Sequence, residues 1–145
     1  MTTDRSTASE AEQAREQQGR DWFHYAMTRP REGDFPSPFV RVASNNFCFA
    51  DVWSRPGLDM RARRFITIAC AGFVGADTPM RTHLYAALKS GDITWEEMQE
   101  AILHFSVYAG LPKASLVEQV AAECWARVQA EGGPVKLEPP AGAQP

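Results

Sequence analysis

No stretch of this sequence reaches the roughly 18 apolar residues that a membrane-spanning helix needs, so no membrane partner is expected. The opening MTTDRSTASEAEQAREQQGR has no apolar core, which argues against a secretory signal. Cysteine is scarce: Cys48, Cys70 and Cys124 are far apart, odd in number and set among apolar residues. That placement excludes a disulfide framework and favours a reducing, cytoplasmic setting. An excess of one charge is missing too. The net charge of −3 comes from interleaved acids and bases with no basic stripe, so nucleic acid is not an expected partner. Metal-binding spacings such as His-x-x-x-His, Cys-x-x-Cys or Glu-x-x-His do not occur, so no metal ligand set is assigned. Glycine-rich phosphate loops are also lacking, because Gly72 and Gly75 fall in or at the end of an apolar run with no strand before it.

Strand-like alternation is absent, and what remains is helical. The chain has 145 residues, which suits a single domain. The pattern predicts a flexible N-terminus over 1–9, one helical domain over 10–131 and a disordered proline-rich tail over 132–145. A first helix is expected from Ala8 to about Met27, burying Trp22 and Phe23 and stopping before Pro30. A second runs from about Pro38 to Trp53, with Phe39, Val42, Ala43, Phe47, Ala50 and Val52 as its apolar stripe, and ends at Arg55-Pro56-Gly57. Asp59 caps a third over Met60–Val74, apolar on nearly every side and therefore central, with Gly75 ending it. Thr78-Pro79 opens a short fourth helix to Lys89. Thr94 and Glu97 form a capping box for a fifth over Trp95–Ala109. A sixth runs from Pro112 to about Ala130.

Three histidines carry the candidate chemistry. His24 lies beside Trp22, Phe23 and Tyr25, as the edge of a packing face or a pocket residue. His83 shares a helix face with Met80 and Ala87, so its imidazole is partly desolvated. Glu97, Ala101, His104 and Tyr108 form a stripe beside the apolar Met98, Ile102, Phe105 and Ala109. A carboxylate, an imidazole and a phenol along a core face make either a pocket wall or a hydrogen-bonded boundary. Cysteine catalysis is disfavoured, since a thiolate at Cys70 would sit in the most apolar stretch.

The run FADVWSRPGLDMRARRFITIACAG, then RTHLYAAL and KSGDITWEEMQEAILHFSVYAGLPKA, resembles the carboxymuconolactone decarboxylase family. The resemblance rests on Trp53, Arg55-Pro56-Gly57-Leu58, Arg63, His83 with Ala86-Ala87-Leu88, and Val107-Tyr108-Ala109-Gly110-Leu111-Pro112. It covers roughly Phe49 to Arg127. It implies an all-α, six-helix subunit of the alkylhydroperoxidase-like type, assembling as a homotrimer or homohexamer. Members with peroxidase activity carry a glutamate and a Cys-x-x-Cys pair ahead of the histidine. Counting back from His83, those positions hold Arg64, Ala76 and Pro79, so the redox machinery is missing.

The decarboxylase branch keeps the histidine alone and uses no cofactor. By that resemblance the expected activity is decarboxylation of an unsaturated lactone acid or related activated organic acid. The resemblance implies His83 as the acid/base, with His104 also catalytic. Arg63, Trp53, Tyr108 and Arg81 are the implied substrate-binding residues. The departures are Thr78-Pro79-Met80-Arg81-Thr82 before the histidine, where an acidic stretch is usual, and Ser115 where an asparagine is frequent. They leave room for another substrate, another proton-transfer reaction such as isomerisation or dehydration, or a non-catalytic small-molecule-binding oligomer.

Overall fold

Good helix formers dominate from the N-terminal residues to Thr28, with no proline and one glycine, Gly19. In the computed structural model, which describes residues 4–143 and their side chains from Ser9 onward, they form α1, Asp4–Met27. It starts before Ala8, where the polar Ser/Thr stretch suggested fraying. Thr28 ends it with φ at 55°, its hydroxyl donating to the Met27 carbonyl at 2.7 Å. Five further helices follow: a π-helix Phe39–Trp53, α2 Met60–Val74, α3 Asp77–Lys89, α4 Trp95–Ala109 and α5 Leu111–Ala130. No strand occurs among the described residues, so the fold is all-α. None of the helices is long and apolar enough to cross a membrane.

The chain divides into two compact units at Gly57, after the Arg-Pro-Gly breaker. The first holds the residues up to Gly57 and those from Glu138 onward. Within it α1 packs on the π-helix. The wider turn of a π-helix, closed by i to i+5 bonds, moves the buried face away from the expected stripe. Asn45, Asn46, Phe49, Ala50 and Trp53 are buried, whereas Phe39, Val42 and Phe47 are exposed. The buried set steps by four residues, Asn45–Phe49–Trp53 and Asn46–Ala50, on a face beside the expected stripe, with Ala50 common to both. The buried asparagines are hydrogen-bonded: Asn45 Nδ2 donates to the Glu16 carbonyl at 2.9 Å and to Asn46 Oδ1 at 3.1 Å. Arg31 stacks over the Phe23 ring at 3.6 Å and donates to Ser44 Oγ at 3.1 Å.

The second unit, Leu58–Leu137, contains α2 to α5. Asp59 accepts from the Ala62 amide at 2.7 Å to start α2, and Gly75, at φ 71°, ends it in the left-handed conformation. Thr94 and Glu97 form the expected capping box on α4. The start of α3 differs from the expectation. Ala76 is its N-cap, with no side-chain bond, and Pro79 lies two positions inside the first helical residue. The core between these helices is Met80, Leu84, Leu88, Met98, Val120 and Val128, all almost fully buried. Within the single chain α2 is buried at Arg64, Ile68, Ala71 and Gly72 and leaves Ile66, Cys70, Phe73 and Val74 exposed. After α5 the Val135 amide donates to the Lys89 carbonyl at 2.7 Å, and Lys89 Nζ donates to the Gly133 carbonyl at 3.0 Å.

The contact between α1 and the π-helix depends on Gly19. A Cβ there would lie 2.4 Å from both the backbone oxygen and the side-chain nitrogen of Asn45. Gly19→Ala is expected to destabilise by about 1–3 kcal/mol through overpacking. For a chain of this size that lowers the melting midpoint by several degrees. Thermal unfolding of the variant beside the wild type checks it, and an unchanged midpoint would refute the close approach.

Candidate functional site

Arg64 is the unexpected member of the site. It lies on α2 in register with Ile68, Ala71 and Gly72, so it faces the interior, and only 1% of it is exposed. A guanidinium taken out of water is costly unless it is paired. Its Nε donates to Asp92 Oδ2 at 2.7 Å, and the Asp92 side chain is 14% exposed. Asp92 sits between α3 and α4, its amide donating to Ser90 Oγ at 3.3 Å, and its carbonyl accepts from Arg61. Arg61 also holds Glu97 through two nitrogens at 3.0 and 2.9 Å. That pairing, with the Thr94 amide, keeps the Glu97 carboxyl well below its usual range, at about 2.

His83 lies on α3, which packs directly on α2, and its side chain is largely withdrawn from water. Burial pushes its pKa down from 6.5 to about 4, and the positive charge of Arg64 adds to the effect. The imidazole is therefore neutral at pH 7.

His104 and Tyr108 stand elsewhere on the same unit. Both are exposed on α4, with ring centroids 5.3 Å apart. They border an apolar-walled cavity of about 330 Å³, with Phe65, Ile68, Ile102 and Phe105 among its walls. His83 is not among the residues lining it. Glu97, expected on the same stripe, does not line it either, because the carboxylate is held by Arg61 and the Thr94 amide. A neighbouring hollow shares Phe105 and Tyr108 and includes Cys70, Phe73 and Val74.

The other candidate residues are dispersed. Arg63 Nε donates to the Leu58 carbonyl at 3.2 Å. Arg81 is paired with Glu123 at 2.6 Å and with Asp77 at 3.5 Å. Trp53 belongs to the first unit, buried with its ring centroid 5.8 Å from that of Phe49. His24 is exposed on α1. Among the described residues no three His, Cys, Asp or Glu side chains gather as a metal site.

Sequence reasoning missed the Arg64–Asp92 pair. The available signal was register: Arg64 stands four, seven and eight residues before Ile68, Ala71 and Gly72, on the face that an apolar helix buries.

Residues 42–123 match the model of the carboxymuconolactone decarboxylase family, more than half of the chain. The chain is 40% identical over 90 residues to a 4-carboxymuconolactone decarboxylase of Acinetobacter baylyi, covering 62% of this chain and 66% of that protein. It is 33% identical over 79 residues to a nitrosuccinic acid decarboxylase of Metarhizium robertsii, covering 52% of this chain and 54% of that protein. In each case the match spans less than two thirds of the relative's own length. The helical architecture and the family match agree, and the chain belongs to the carboxymuconolactone decarboxylase family.

Proposed function

We propose that this protein is a cofactor-independent decarboxylase of an activated organic acid, with His83 receiving and delivering the proton. The observation that carries the reading is the desolvated, neutral imidazole of His83 in a chain whose named relatives are decarboxylases. A carboxymuconolactone and nitrosuccinic acid share one chemical trait. Each has a group that accepts an electron pair near the carbon that loses carbon dioxide: an unsaturated carbonyl system in one and a nitro group in the other. The C–C bond breaks, its electrons pass into that group, and a proton then adds to carbon. Catalysis needs a stabilised oxyanion and a positioned proton donor. His83 supplies the proton. Arg63, whose Nε donates to the Leu58 carbonyl, and His104 and Tyr108, at a cavity that His83 does not line, are given no part in this step.

Exposed apolar residues support a homotrimer or homohexamer. Phe73, Val74 and Tyr108 border one hollow, and Leu103, Val107 and Leu111 are also exposed. Such residues are suited to burial against further copies. Sedimentation velocity should show a trimer or hexamer, and Val107→Glu should shift it towards monomer. A monomeric wild type would refute the assembly.

Turnover is tested by carbon dioxide release from 4-carboxymuconolactone and from nitrosuccinate. His83→Ala is expected to lower kcat by about 10²–10⁴-fold, the usual contribution of a general acid/base. Wild-type turnover in that variant would remove His83 from the mechanism. Tight binding of either acid without carbon dioxide release would favour a binding protein instead.

The same group sets a stability signature. Between pH 6.5 and about 4 the unfolded chain protonates this histidine while the folded chain does not. The stability contributed by keeping it neutral is therefore complete above pH 6.5 and declines as pH falls towards 4. Within that window the slope approaches about 1.4 kcal/mol per pH unit. Urea unfolding at pH 7 and pH 4.5 should show a larger acid loss for wild type than for His83→Gln. Equal losses would contradict the burial of the imidazole.

A further inference from the structure

We propose that Arg29 and Arg31, gathered around Phe23 by the loop after α1, form a binding site for a small oxyanion, a carboxylate or a phosphate. All of its residues belong to the first unit, and it does not rest on the decarboxylase reading.

The loop is fixed by its own chain before any ligand arrives. From α1, Arg20 Nη1 donates to the Arg31 carbonyl at 2.7 Å and Nη2 to the Gly33 carbonyl at 2.8 Å. Its guanidinium lies over the Phe35 ring at 4.1 Å. From the π-helix, Ser44 Oγ accepts from Arg31 Nη2 at 3.1 Å and Asn45 Oδ1 from Nη1 at 3.4 Å. The Arg31 guanidinium stands 3.6 Å from the centre of the Phe23 ring, and that of Arg29 stands 5.6 Å from the same centre. Two cations are thus collected around one ring, with a third, Arg20, bonded to the backbone between them and Gly33.

These charges have no internal counter-ion. Asp51 is taken by Arg15, and Glu12 and Glu16 by Arg41, while Asp21 accepts from Gln17. Glu32 and Asp34 are exposed on the same loop. Among the described residues no carboxylate forms an ion pair with Arg20, Arg29 or Arg31. Aromatic faces attract a guanidinium but do not neutralise it. Burial, and then the like charges of Arg29 and Arg20, push the Arg31 guanidinium below its ordinary value. Holding like charges together costs free energy, and an anion that joins them returns it.

The donors define the ligand. Arg31 spends Nη1 and Nη2 on one bond each, and a guanidinium carries more donors than these. Arg29 is exposed and forms no hydrogen bond or ion pair among the described residues. Planar guanidinium donors match the paired oxygens of a carboxylate or phosphate. Two cations suit a doubly charged anion, such as a dicarboxylate or hydrogen phosphate. Binding involves no covalent step.

The test follows the arginine Nε–H signals of the full chain by nitrogen-15 NMR. Succinate and inorganic phosphate are titrated separately, against chloride at equal ionic strength. The Arg29 and Arg31 signals should shift and saturate with at least one of them, and the tighter anion identifies the source. Arg29→Gln changes an exposed side chain and should raise the Kd about tenfold, the loss of one charge-assisted bond. Arg127→Gln, on α5, should leave it unchanged. Thermal unfolding separates a site from a structural role. Without added anion, Arg29→Gln should unfold at the wild-type midpoint or above it, because a like charge has gone. With the anion, the wild type should gain more than the variant. No saturable shift with either anion overturns the proposal, as does equal weakening in Arg29→Gln and Arg127→Gln. A lower midpoint of Arg29→Gln without anion makes the residue a structural prop and overturns it too.

Discussion

Arg64 carries a full positive charge into the interior of the α2–α5 unit, and the surrounding structure has to answer it. A buried guanidinium with one partner removed destabilises strongly, because the remaining charge stays in a poorly polarisable medium. Asp92 supplies the answer from a connection of only a few residues. The polar links continue outward. Arg61 grips the Asp92 carbonyl and the Glu97 carboxylate, and Glu97 closes the Thr94 capping box. A charge on the buried face of α2 is thus connected to the first turn of α4. Members of such networks support one another more than isolated pairs do.

This arrangement separates two chemical neighbourhoods in the same unit. Around His83 the dominant feature is desolvation, which holds the imidazole neutral, with the charge of Arg64 acting in the same direction. Around His104 and Tyr108 there is an apolar cavity with polar groups at its border, which suits recognition of an organic body with a few polar atoms. Glu97 belongs to neither, although it lies on the His104 stripe, because Arg61 and Thr94 hold it. Position on a helix face is therefore necessary for a site residue without being sufficient. The partner on the next element decides whether a carboxylate faces a ligand or completes a cap.

The π-helix shows a related limit in the other unit. Its apolar residues read as a 3.6-residue stripe, yet the buried set is Asn45, Asn46, Phe49, Ala50 and Trp53. The buried face lies beside the expected stripe, with Ala50 common to both, so Phe39 and Phe47 end outside while two asparagines go in. The asparagines are tolerated because α1 offers the Glu16 carbonyl across the close approach at Gly19.

The amino-acid sequence by itself determined the all-α class, the bounds of α2 and α4, and their caps at Asp59 and Thr94. Those features depend on contacts within a few residues, which a linear pattern contains. It also singled out His83 as a candidate, from helix context and family motifs. Only the tertiary structure decided that Arg64 goes inward against Asp92, 28 residues away. It alone decided that His83 is largely withdrawn from water, and that the π-helix buries asparagines. The reason is physical. The field at an imidazole and the pairing of a buried ion depend on groups distant in sequence and adjacent in space, and their cost is set by the surrounding medium.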